Sequence, residues 1–294
     1  IRRPEDETAE DKLSYLGSTK ASDMTFEVIK PSAKANWINQ TENSWDDLIP
    51  ITTTTTKTTK IKSQERAIFK DYSLGVSTNR NEWSIGESAK AVKSKMRHLC
   101  DHYNSRLGSS NVDDKIKWSD TLLRHCKNRE REKFSGLRVH KLHFRPFKTD
   151  FYYSSDVFVD RPGASSEYFP ENHKNRAITY LCISSDNELS ALGVDQAFDL
   201  GLLKKGNGGT QGIPLYRFNL EGEQIDNITD WGLDQFQAEY GDAITKEDIF
   251  NYVYGVIHDP VYRETYALNL KREFPRIPFY PNFQQWVDWG VALM

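Results

Sequence analysis

The hydrophobic period of this chain changes near its middle, and the change limits the fold more than any other feature. Across residues 87–106, Ala91, Val92, Met96, Leu99 and Tyr103 recur at helical spacing, with Lys90, Lys93, Lys95 and Arg97 elsewhere around the segment. A second helix is predicted over 119–133, with Leu122, Leu123 and Cys126 facing inward. From Leu137 the period falls towards two. Residues 137–144 and 151–153 read as strands around a turn at Arg145, Pro146, Phe147 and Lys148, and further strands are expected over 178–183, 198–203 and 213–218. Residues 206–209 supply a turn before the last of these. The final fifty residues return to helical spacing. Thr245 caps a helix running to about Ile257, Asp259 and Pro260 restart another, and Pro275 and Pro278 fix an extended exit. The predicted class is α+β: a basic helical segment, a central mixed or antiparallel β region, and C-terminal helices. Ahead of these, a short helix is expected over 12–16 and a strand over 26–29. The threonine run at 52–56 reads as a loop, because it has no apolar alternation to bury.

Charge is segregated along the same axis. Residues 90–150 hold 16 Lys and Arg against 7 Asp and Glu, whereas the whole chain holds 39 against 42, leaving 23 against 35 elsewhere. The densest stretch contains Arg124, Lys127, Arg129, Arg131 and Lys133, followed by Arg138, Lys141 and Arg145. Clustered cations of this kind suit a phosphate backbone, because each contact releases condensed counterions. The alternation of Arg129, Glu130, Arg131 and Glu132 also fits a solvated helix face, so composition leaves both readings open. Acidic residues Asp226, Asp230, Asp234, Glu239 and Asp242 read as a solvated surface around Trp231.

At 294 residues the chain is long enough for two domains or one large one. Cys100, Cys126 and Cys182 form no CxxC pair, which fits a reducing compartment. No apolar run approaches the roughly 18 residues of a membrane span, and no signal peptide opens the chain. A first residue of Ile1 rather than Met points to a piece of a longer protein.

Catalytic signatures are missing. There is no P-loop, no GxGxxG after a strand, no methyltransferase Asn-Pro-Pro-aromatic tetrapeptide, no HExxH and no GxSxG. His140 and His143 are three apart on a predicted strand and so face opposite sides, which argues against a shared metal. His258 beside Asp259 reads as a packing or capping residue. No constellation supports a hydrolase built on these histidines. Residues 75–83 instead place Asn79, Arg80 and Trp83 in a glycine-entered loop, where Asn and Arg could read base edges or the loop could be a turn anchored by Trp83. The aromatics of Phe144 to Phe147, Tyr152, Tyr153 and 252–279 are expected to build core.

Taken in order, these motifs resemble the C-terminal part of the single-chain Type I-like (Type ISP) restriction–modification enzymes. The resemblance rests on residues 68–83, on Phe144 to Phe147 with Tyr152 and Tyr153, and on Phe169 and Pro170 with Asn175. It continues through 213–216, 252–258, Tyr262, Arg263 and 275–279. Asn81 stands where the family pattern more often has Asp. The family joins a nuclease, a RecA-like translocase, an adenine-N6 methyltransferase and a target-recognition domain in one polypeptide. The resemblance implies that residues 1–85 are the methyltransferase tail and a connector, and that 86–294 are the target-recognition domain. That domain would be helical over 86–135, β-rich over 136–220 and helical over 221–294. Its partners would be double-stranded DNA and the upstream methyltransferase and helicase/nuclease domains. It would be no enzyme by itself and hold no cofactor, the parent using S-adenosylmethionine, ATP and magnesium in the bacterial cytoplasm. Expected DNA-binding residues are Asn79, Arg80, Lys93, Arg124, Lys127, Arg129, Arg131, Lys133, Arg138 and Lys141. The alternative is a brace that clamps methyltransferase and motor together without reading bases.

Overall fold

A computed structural model describes residues 7–24, 26, 28–31, 35, 37, 41, 43–56, 66–109, 112–181, 188–203 and 208–294. The chain divides into two compact units, Ile1–Glu42 and Asn43–Met294. The first contains α1 (Ala9–Ser18), longer than the predicted helix because Thr8 and Asp11 cap it reciprocally. The Asp11 N–H donates to Thr8 Oγ1 at 3.2 Å, and the Thr8 N–H donates to Asp11 Oδ2 at 3.0 Å. Of the strand expected over 26–29, Glu27 lies outside the described residues, and Phe26, Val28 and Ile29 are in no strand.

In the second unit, β1 (Ile49–Pro50) precedes the threonine run, which is a turn closed by the Thr53 N–H on Thr56 Oγ1 at 2.8 Å. Next come β2 (Ser73–Leu74), α2 (Asn81–Ser84), β3 (Ile85–Gly86) and α3 (Ala89–Ser105). Ser88 caps α3, and its inward stripe is Val92, Met96, Leu99, Cys100 and Tyr103. Ala91 faces solvent, contrary to expectation, because the stripe centres one residue later. The second helix, α4 (Asp120–Lys127), buries Leu122 and Cys126 and leaves Leu123 half-buried. It ends six residues earlier than predicted. Arg129 adopts a left-handed φ of 59°, which breaks the helical path.

The hairpin follows as predicted: β4 (Val139–Arg145) and β5 (Lys148–Tyr153) pair antiparallel across the two-residue turn Pro146-Phe147, and β3 pairs with β5. Beyond α5 (Ser165–Tyr168) lie β6 (Ala177–Leu181), β7 (Ser190–Val194) and β8 (Gln211–Pro214). With β2 these form an antiparallel sheet ordered β2-β8-β6-β7. Residues 198–203 are not the expected strand. Phe198 and Asp199 make only isolated bridges to His143 and Val76, and the Asp199 carboxylate turns the chain by accepting the Gly201 N–H at 2.8 Å. The strand expected over 213–218 is broken at Leu215, whose N–H turns to Arg176 O at 2.8 Å, so β9 (Tyr216–Phe218) pairs instead with β10 (Gln224–Asp226). Cys182, Ile183, Gly206 and Asn207 lie outside the described residues, and with the last two goes part of the predicted turn.

The C-terminal part contains α6 (Asp230–Tyr240), α7 (Lys246–His258), α8 (Pro260–Thr265), α9 (Ala267–Leu270), β11 (Arg276–Ile277) and α10 (Phe283–Leu293). The acidic surface expected around Trp231 is largely α6, whose Gly232 and Phe236 are buried. Every residue of α7 from Ile249 to Ile257 is buried, as in a helix enclosed on all sides. It crosses α10 closely enough that a Cβ on Gly290 would lie 1.9 Å from Asn251 O. β11 pairs antiparallel with β1, so the extended exit at Pro275 closes onto residues 49–50. The order of helical, antiparallel β and helical parts is α+β.

Candidate nucleic-acid interface

The exposed cations gather where α4 gives way to a non-helical segment. That segment lies antiparallel along α3. Tyr103 donates to Glu130 O at 2.8 Å, Asn104 Nδ2 donates to Glu132 O at 2.8 Å, and the Arg97 guanidinium sits 4.8 Å from the Phe134 ring centroid. Further on, a Cβ on Gly136 would meet Lys93 Cε at 3.4 Å. Residues 93–103 of α3 therefore flank residues 130–136 over about 15 Å of helix. α3 side chains tether the carbonyls of the segment that follows once Arg129 has left the helical path. Lys93, Arg131 and Lys133 are exposed along this strip, and Arg124, Lys127 and Arg129 are exposed at the end of α4. None of these six makes an ion pair among the described residues.

Arg138 differs. Its guanidinium is ion-paired with Glu132, whose buried carboxylate also accepts from the Tyr153 hydroxyl at 3.4 Å. The side chain is itself 45% exposed, so Arg138 covers a buried carboxylate from the surface. Lys141 is exposed on β4 but lines a separate cleft of about 600 Å³ with His140, Asp195 and Gln196. The two histidines of that strand have different partners, His140 with Glu171 and His143 with Asp195, as their opposite facing required.

Asn79 and Arg80 are adjacent in sequence and opposite in role. Asn79 is exposed with a left-handed φ of 55°. Its Nδ2 donates to Asp160 Oδ2 at 3.0 Å, and its Oδ1 accepts from Lys117 Nζ at 3.2 Å. The Arg80 side chain has 0% exposure, and its guanidinium donates to Thr78 O, Phe158 O, Ser119 Oγ and Asp160 Oδ1. An arginine so enclosed cannot meet a base edge in this conformation. Ser119 is also the cap of α4, so Arg80 and Asp160 fasten the loop to the start of the basic helix. Burial opposes ionisation of Asp160. Hydrogen bonds from Asn79 and Ser119 and the Arg80 charge outweigh it, holding the carboxyl below its ordinary value. Trp83 stacks on His98 at 5.8 Å and packs against the α3 core. It anchors the loop.

Asn79 and Lys117 open onto a polar cavity of about 330 Å³, which Asn81, Glu82, Arg145 and Asp199 also line. Lys117 and Asp160 escaped the sequence reading. Lys117 lies outside the densest part of the basic block, and Asp160 is 80 residues from the arginine it neutralises. No local pattern joins them. Arg145 lies 3.9 Å from the Phe144 ring centroid and donates to Asp199 Oδ1 at 2.7 Å, so it is held at the cavity edge. No group of three or more His, Cys, Asp or Glu residues able to hold a metal ion occurs among the described residues.

Residues 67–294 match the family model described as the Type ISP C-terminal specificity domain. The chain belongs to this family. The resemblance carried by the sequence motifs is therefore a true kinship, and the role in the family's name is specificity. Among solved structures, this specificity domain is similar to the DrdV–DNA complex determined by cryo-EM. The two share 38% identity over 97% of this chain and 29% of that one, with a TM-score of 0.85. It is similar also to LlaBIII, described as an ATP-dependent Type ISP restriction–modification enzyme bound to DNA. There the identity is 27% over 90% of this chain and 17% of that one, with a TM-score of 0.77. A nuclease-deletion mutant of the Type ISP enzyme LlaGI, in complex with a DNA substrate mimic, shares the fold. Its TM-score is 0.74 and its identity 24%, over 97% of this chain and 22% of that one. The chain spans less than a third of the length of each of these proteins. Among curated proteins, no match is found.

Proposed function

We propose that this specificity domain recognises a short asymmetric sequence in double-stranded DNA and positions an adenine-N6 methyltransferase, with the associated translocase and nuclease, on that site. The observation that carries the reading is the strip of unpaired cations along α3 and the segment after α4, together with an exposed Asn79–Lys117 pair near the start of α4. Lys93, Arg124, Lys127, Arg129, Arg131 and Lys133 hold phosphates, and Lys141 makes a separate contact. Phosphate contacts fix register but carry no sequence information, so base reading falls to the cavity residues around Asn79. Arg80 supports these surfaces from inside and touches no DNA, whereas Arg138 is exposed but ion-paired with Glu132. Residues 1–42, a compact unit of their own, are the end of the methyltransferase fold, and the connector follows. S-adenosylmethionine, ATP and magnesium serve the rest of the polypeptide, which works in the bacterial cytoplasm. No helix among the described residues is long and apolar enough to cross a membrane.

The brace reading draws support from the outer side of α10, where Trp289, Val291 and Leu293 are exposed. That surface suits a protein neighbour and leaves the cationic strip free, so bracing adds to DNA recognition. The test is selection of duplexes from a randomised pool by the whole enzyme, followed by mapping of N6-methyladenine. Enrichment of one asymmetric motif with a single modified adenine is expected. A pool that remains unenriched contradicts the proposal.

A further inference from the structure

The sequence places Phe147 in a motif expected to pack. In the structure its side chain is 93% exposed at the tip of the β4–β5 hairpin, with a left-handed φ of 60°. Both features are costly. A bulky residue in that conformation is an outlier, and a phenyl ring left in water forgoes the gain of burial. Pro146 at the first turn position and a left-handed residue at the second is the arrangement in which glycine or asparagine is favoured. Local folding therefore does not ask for phenylalanine. The turn is also stiff, because the proline ring fixes one dihedral and Arg145 and Lys148 pair across the strands behind it. Below the tip, Arg145 is held by Phe144 and Asp199 and reaches the cavity that also holds Asn79 and Lys117. A rigid, exposed aromatic thus stands at the edge of the site assigned to base reading, with Arg145 and a half-exposed Lys148 at its base.

We propose that Phe147 is a wedge that inserts at a base step of the bound duplex, partly unstacking it, on a hairpin whose base is fastened by the ion pairs of Arg145 with Asp199 and of Lys148 with Glu87 and Asp150. Apolar side chains on projecting elements act in this way when they bend DNA, and the cost of unstacking is repaid by the contacts the bend permits. The inference rests on the DNA-recognition reading and adds a specific means: the protein senses how easily a particular step opens. Pyrimidine–purine steps are the preferred position, because they unstack most readily.

The test uses the whole enzyme and a duplex it has enriched from a randomised pool, with 2-aminopurine placed at successive positions. Wild-type protein is expected to raise fluorescence at one step. Phe147→Gly is the informative variant, since glycine accepts the left-handed turn and removes the ring without harming the hairpin. It is expected to keep or raise the melting temperature, abolish the fluorescence change and weaken binding about tenfold, in the range that stacking contacts supply. Phe147→Trp is expected to restore both. Unchanged affinity and fluorescence in Phe147→Gly would overturn the wedge while leaving DNA recognition intact. Loss of domain assembly without loss of DNA binding would assign the ring to a protein contact and overturn it equally. Failure of the enzyme to enrich any duplex would sink both readings together.

Discussion

Arg80 and Asn79 show how far the role of a side chain depends on which way one loop turns it. The sequence places both in a polar loop suited to base reading. The structure sends the guanidinium into a wholly buried site against Asp160 and leaves the amide outside. Removing one partner of a buried ion pair leaves the other charge uncompensated, so Arg80→Met is expected to destabilise the domain by about 3–5 kcal/mol. Denaturant unfolding measures this, and a loss under 1 kcal/mol would contradict a bracing role. His258 supports a second prediction. Burial, aided by the Arg263 charge, pushes its imidazole down to about 4, and its Nε2 is buried without a partner. A histidine depressed in the folded state contributes stability that is fully present above its unfolded value near 6.5. That stability is lost as pH falls from there through about 4. The melting temperature is expected to drop across that window, and the drop should shrink in His258→Leu. An equal pH dependence in both proteins would count against this account.

At the scale of elements, the hydrophobic period was a good guide wherever a segment buries one face. α3, the β4–β5 hairpin and α7 all sit where their spacing put them, and Thr245 and Asp259 cap as predicted. Two of the failures turn on side chains that hydrogen-bond the backbone in ways no periodicity encodes. α4 stops early where Arg129 turns left-handed, and Tyr103 and Asn104 donate to carbonyls of the segment beyond it, while residues 198–203 turn because the Asp199 carboxylate accepts the Gly201 N–H. β7 was missed because Ser190, Ala191 and Gly193 give little alternation, while its partner β6 is buried throughout. The family motifs were legible for a related reason. Many of their residues are internal tethers, such as Asn175, which donates to Tyr168 O and Tyr216 O, and Tyr262, which donates to Arg276 O. Such residues identify the fold more readily than the readout surface. The α7–α10 crossing yields a prediction at this scale. Gly290→Ala forces a methyl group against the Asn251 backbone and is expected to cost at least about 1–3 kcal/mol, the usual range for overpacking. Thermal melting checks it, and an unchanged melting temperature would mean the helices are not so closely crossed.

At the scale of the whole molecule, cations concentrate on the α3–α4 part, while the C-terminal helical part supplies most of the largest hydrophobic core. The nearly balanced net charge of −3 hides that division. Affinity and specificity are correspondingly expected to separate: the cationic strip grips any duplex, and the Asn79 cavity with the Phe147 tip distinguishes one sequence from another. Asn79→Ala is expected to narrow the gap between selected and scrambled duplexes by about 1–3 kcal/mol with little effect on nonspecific binding. Competition binding measures that gap, and a uniform loss on both duplexes would place Asn79 among the phosphate contacts. The most direct test of the central claim is the salt dependence of duplex binding by the whole enzyme and by its Arg124→Ala, Lys127→Ala, Arg131→Ala, Lys133→Ala variant. Each lost phosphate contact should flatten the plot of log affinity against log salt by about 1, so the fourfold variant is predicted to lose about 3–4 from the slope on selected and scrambled duplexes alike. An unchanged slope would contradict the claim that this strip holds the DNA backbone.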